Sequence, residues 1–194
     1  MRRGKGCSLE EVPEALRRKR SLILVLNTDN MCGQRALAFH LAITHGMKGI
    51  ADCDFYHWIR SKKNSDYVEK TGGELNSALF GRKKNCAMEF QDFQRFTDIF
   101  NVRVVINMYN PGQRTHVLYR TDGGEDTVHL LLQEIVRFEG GRQISVFHYH
   151  YVRNRESLNY DGKNAVRYCD LCKKDILVIG FDTRGTRRAS EGGS

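Results

Sequence analysis

Four β-rich runs in the second half of the chain, joined by short polar turns, restrict the fold more than any other feature. They are "VRVVINMY" (102–109), "THVLYR" (115–120), "TVHLLL" (127–132) and "QISVFHYHYV" (143–152). The connections "NPGQR", "DGGED" and "EGGR" carry the Gly, Pro, Asn and Asp residues that tight turns require. Turns this short join antiparallel neighbours, whereas a parallel pair needs a long crossover. A largely antiparallel sheet is therefore expected. Upstream, "SLILVL" (21–26) is a continuous apolar run that suits a buried strand. Spacing predicts a helix from Cys32 to His45, stopped by Gly46, and a short helix in "SLEEVPEALRRKR" capped by Ser8. "MEFQDFQRFTDIF" (88–100) sets Phe90, Phe93, Phe96 (or Thr97) and Phe100 on one helical face, with Asn101 as the stop. Residues 47–87 show no clear periodicity. Helices packed against a mostly antiparallel sheet define an α+β class.

A chain of 194 residues with 40% apolar residues is long enough for one domain with a real core. Its longest apolar runs are too short to cross a bilayer, so no membrane role is expected. No leader with a cleavage site is visible, which points to an intracellular setting, cytoplasmic or nuclear, with the six cysteines as thiols or metal ligands. The net charge of +8 is concentrated at the ends: +4 in residues 1–20, +3 in 163–194, and about +1 between them. Weak nucleic-acid contact would come through those basic ends. The expected organisation is a basic segment (1–20), a folded domain (21–158), a Cys-containing extension (159–180) and a disordered basic Gly/Ser tail (181–194).

The stretch "NTDNMCGQRALAFH" places Cys32 where the apolar run has stopped and a helix begins. Backbone N–H groups at a helix start favour thiolate over thiol and can also stabilise an oxyanion. A base must come from elsewhere, and His148 in "ISVFHYHYV" is the candidate. The competing reading makes Cys32 a small core residue and His148 a satisfied strand histidine. Alternation along the strand puts Phe147, Tyr149 and Tyr151 on one face and His148 and His150 on the other.

"TDNMCGQRALAFHL" resembles the first motif of the OTU (ovarian tumour) family of papain-like cysteine proteases, through Asp29, Cys32, Arg35 and Ala36. "FQDFQRFTDIFNVRVVINMY" and "TVHLLL" followed by "HYHYV" resemble that family's later helix and strands, so residues 22–152 are covered. The resemblance implies a papain-like fold with Cys32 as nucleophile, His148 as general base and Asp29 or His150 as orienter. The substrate would be a ubiquitin-like protein or a viral polyprotein. Asn30 and Met31 stand where the family carries Gly and Asn. Asp29 to Ala36, Glu89 to Gln91, and "HYHYVRN" with "YCDLC" also resemble the region upstream of the polymerase domain in Maverick/Polinton-type family B DNA polymerases. That resemblance implies a non-catalytic replication module as the alternative.

Cys169 and Cys172, in "CDLC", have the spacing of half a zinc site. No second pair follows, so no cofactor is required and zinc would occupy only an incomplete half-site. The aromatic stretches "FHYHYV" and "DCDFYHWIR" are expected to pack in the core rather than stack on bases. No Gly-rich phosphate-binding pattern occurs.

Overall fold

The computed structural model describes the backbone of residues 6–19, 21–46, 62–155, 158, 165–169 and 174–178. The chain opens with a 3-10 turn (Leu9–Glu11) and a short helix α1 (Glu14–Arg17). Ser8 caps that turn, its N–H donating to Glu11 Oε2 at 2.8 Å. Strand β1 (Leu22–Ile23) precedes helix α2 (Cys32–Leu41), which runs on as a π-helical turn (Ala42–Gly46). Helices α3 (Lys62–Phe80) and α4 (Phe90–Phe100) follow. The strands are β2 (Val102–Met108), β3 (His116–Arg120), β4 (Asp126–Glu139), β5 (Arg142–Val152), β6 (Ala165–Cys169) and β7 (Lys174–Val178).

The fold is α+β, with helices packed on a mostly antiparallel five-stranded sheet in the order β1, β5, β4, β2, β3. The long β4–β5 hairpin turns through Gly140 and Gly141, both at positive φ, so Glu139 faces Arg142. Strands β6 and β7 form a separate antiparallel pair. Asn101 ends α4 in the left-handed conformation, as expected of a helix-stopping Asn.

One pairing differs from the antiparallel expectation. Strand β4 lies parallel to β2, Val102 opposite Asp126, because residues 121–125 pass beneath the start of β2 instead of turning back beside β3. Thr121 fastens the crossing: its Oγ1 accepts the Val104 N–H at 2.8 Å, and its own N–H donates to the Val104 carbonyl. Gly124 makes the crossing sterically feasible. Its φ is +82°, and a Cβ there would lie 2.2 Å from the Arg103 nitrogen.

Two apolar clusters cover the two faces of the sheet. Helices α2, α3 and α4 bring Leu37, Leu79, Phe93 and Phe96 against Val104, Ile106, Leu130, Leu132 and Tyr149. On the opposite face, Val12 and Leu16 pack with Leu131, Val146, Val152 and Leu158. Cys7, Val12 and Leu16 of the N-terminal segment are thus part of the core. Burying Val12 and Leu16 contributes about 1.5–3 kcal/mol each. Arg137 on β4 fixes the segment by donating to both Glu11 carboxylate oxygens, at 2.6 and 3.0 Å, and to the Gly6 carbonyl at 2.7 Å. Those hydrogen bonds from Arg137 hold the Glu11 carboxyl down at about 2.

Replacing Gly124 with Ala should lower stability by about 2 kcal/mol or more, because both the backbone clash and the positive φ oppose it. Gly123→Ala should cost less, since nothing lies within 4 Å of its added Cβ. Urea denaturation of the two variants checks that order.

Candidate functional site

Helix α2 starts where Asp29 gathers the preceding loop. Asp29 Oδ1 accepts the Met31 N–H at 2.9 Å and the Asn27 side-chain amide at 2.6 Å. Arg35, one turn into the helix, takes both oxygens of the same carboxylate, with Nη2 at 2.9 Å from Oδ2. Burial alone would raise the Asp29 pKa. The bonds from Arg35, Met31 and Asn27 outweigh it and hold the carboxyl below its usual range. Asp29 therefore clamps the loop to the helix. Its carboxylate is engaged with Arg35, Met31 and Asn27.

Cys32 is the first residue of α2, as its sequence position suggests, but it is fully buried among the apolar side chains of the helix-covered face. Burial pushes its thiol up to about 12, even though the backbone N–H groups of Tyr149 and Gly33 bond to the sulfur, and the Asp29 charge pushes the same way as burial. The helix start does lower the thiol pKa, but desolvation is the larger effect. Burial thus works against the expected thiolate at Cys32.

The histidines belong to the other face. Phe147, Tyr149 and Tyr151 point into the helix-side cluster with Cys32, while Val146 and Val152 point into the opposite one. His148 and His150 share the parity of Val146 and Val152, and both are fully buried. Their rings turn back to the backbone of β1's continuation. The β1–β5 register pairs Leu22 with Val152 and Ile23 with Tyr151; continued, it would set Val25 opposite Tyr149. The ladder stops at Ile23. The Val25 N–H then donates to His150 Nδ1 at 3.2 Å, and the Val25 carbonyl accepts from His148 Nε2. Two imidazoles stand in for a missing rung of the sheet.

That bonding defines the tautomer of His150. With Nδ1 accepting, Nε2 carries the proton and donates to Gln133 Oε1 at 3.0 Å. Gln133 in turn donates to the Glu11 carbonyl at 2.7 Å. Burial, followed by the neighbouring His148, lowers the His150 pKa well below the usual histidine value, so it is neutral. His148 and His150 thus hydrogen-bond the Val25 backbone and the Gln133 amide, on the strand face opposite the helix-side cluster. Cys32, His148 and His150 are all fully buried, so the geometry does not assemble an exposed dyad.

Arg35 and Gln133 join the site through the Asp29 and His150 bonds. Gln133 signals itself as a polar residue in an inward position of an apolar strand, "LLLQEIV". Cys169 ends β6, and Cys172 lies outside the described residues. Among the described residues, no group of three or more His, Cys, Asp or Glu is placed to hold a metal ion. No helix among them is long and apolar enough to cross a membrane. No protein-family model matches the chain, and no curated protein matches it significantly.

Two outcomes follow from the site. At about pH 8 iodoacetamide should modify the half-buried Cys86 well before Cys32, which should react only on unfolding, as peptide mapping by mass spectrometry would show. The second concerns acid stability. His150 has a folded pKa below its unfolded value near 6.5, so the folded state binds fewer protons in acid. Its contribution is complete above about pH 6.5 and is lost as pH falls, by up to about 1.4 kcal/mol per pH unit. Urea midpoints between about pH 7.5 and about pH 5.5 should fall in the native chain and fall less in His150→Gln.

Proposed function

We propose that the chain is a non-catalytic module built on the layout of an OTU-like, papain-type cysteine peptidase domain. Its setting would be the N-terminal part of a Maverick/Polinton-type replication protein, acting by contact rather than by cleavage. The observation that carries this reading is the closed site: a fully buried neutral Cys32, with both imidazoles committed to the Val25 backbone. The resemblance of residues 22–152 to the peptidase motifs supports the ancestry, and Cys32 heads a helix against a closing strand, as that ancestry implies.

A second reading is an active peptidase that forms and hydrolyses an acyl-enzyme on a ubiquitin-like or polyprotein substrate. The observation in its favour is the pair of backbone N–H groups, Tyr149 and Gly33, that meet the sulfur at the head of α2. That reading requires residues 24–31 to lift away, so that Cys32 meets solvent and His148 releases Val25.

A ubiquitin-based electrophilic probe separates the two. The non-catalytic reading expects no adduct that disappears in Cys32→Ala. An adduct on the native chain that Cys32→Ala abolishes would establish the peptidase instead.

A further inference from the structure

A basic basin of about 510 Å³ opens away from Cys32, between the end of α1 and the turn joining β2 to β3. One wall carries Arg18 and Lys19, and the other carries Tyr109, Gln113 and Arg114, with Leu158 at the base. Among the described residues lining it, none is Asp or Glu. Arg18 pairs with Glu14 along the exposed side of α1, and Lys19 donates to the Leu158 carbonyl. Arg114 is exposed at the turn, while Tyr109 is half-buried, held from behind by the apolar cluster of Val12 and Leu16. The tyrosine is thus a supported aromatic surface set between cations.

We infer that this basin binds single-stranded nucleic acid, with a base stacked on Tyr109 and neighbouring phosphates held by Arg114 and Arg18. The volume accommodates a nucleotide unit. An aromatic face flanked by cations fits a strand whose bases are exposed, since stacking requires no particular sequence and the cations follow the backbone. A phosphorylated peptide would use the cations but leave the ring and the Gln113 amide without a role. The site joins the basic N-terminal segment to core residues 109–114, so nucleic-acid affinity is not confined to the charged ends. It does not depend on Cys32, and its failure would leave the peptidase question untouched.

The test is fluorescence anisotropy of the full chain with a labelled oligothymidylate across a salt series, beside a phosphopeptide of similar charge. Arg114→Ala should weaken oligonucleotide binding and flatten the log–log salt slope by about 0.7. Tyr109→Leu should weaken it about fivefold or more with little change in slope, and Tyr109→Phe should bind like the native chain. Thermal melts identify any variant that fails to fold, and Tyr109→Phe keeps the stacking claim testable in that case. Arg82→Ala, in the turn after α3, is the control and should bind normally. Absence of oligonucleotide binding, equal loss in Arg82→Ala, or phosphopeptide binding that the oligonucleotide does not displace would each overturn the proposal.

Discussion

Side-chain alternation along β5 is the constraint on which the rest of the site depends. Tyr149 and Tyr151 face the helices and close the core over Cys32, so His148 and His150 must face the N-terminal segment. A one-residue slip of register would exchange those roles and put two imidazoles against the thiol. The eleven rungs between β4 and β5, from His129–Val152 to Glu139–Arg142, make that slip costly. The register thus keeps the histidines on the face opposite the cluster that holds Cys32.

The Val25 rung follows from that arrangement. A strand that continued past Ile23 would pair with the β5 backbone and leave the buried imidazoles to find other partners. By leaving the ladder, the chain presents the Val25 N–H and carbonyl to His150 and His148, and the Tyr149 amide becomes a partner for Cys32. Each buried polar group gains a bond in the exchange, and an unmade bond there would cost about 1–3 kcal/mol. Asp29 and Arg35 then hold the departing segment against α2. The N-terminal segment covers the other end of the network through Gln133 and Glu11. Removing residues 1–20 would therefore expose the histidine face and strip Val12 and Leu16 from the core, so truncation is a poor way to probe the basic end.

Much of this was legible in the sequence. The four β-rich runs, the aromatic face of α4 and its Asn101 stop all follow from local chemistry, and local chemistry survives folding there. The alternation of "FHYHYV" already separated the histidines from the tyrosines. Less legible were features set by tertiary contacts. The run "SLILVL" makes only a two-residue strand, because the buried histidines take up the next rung. Helix α3 contains Gly72 and Gly73, which read as helix breakers, yet Gly72 lets α3 approach closely, and a Cβ there would meet Arg35 Cγ at 3.3 Å. The parallel β2–β4 pair depends on a five-residue crossing that only the position of Gly124 makes feasible. Cys32 was placed correctly at the head of a helix, but its burial depends on packing from β5, which no local pattern encodes.

The central claim is that Cys32 and His150 are both neutral, buried parts of the core. Nuclear magnetic resonance of the full chain, with ¹⁵N-labelled imidazoles and ¹³C-labelled cysteine, measures this directly. The account predicts His150 neutral with its proton on Nε2 from about pH 7 down to about pH 5.5, and a Cys32 Cβ shift of a protonated thiol over the same range. A thiolate at Cys32 paired with an imidazolium at about pH 7 would contradict it.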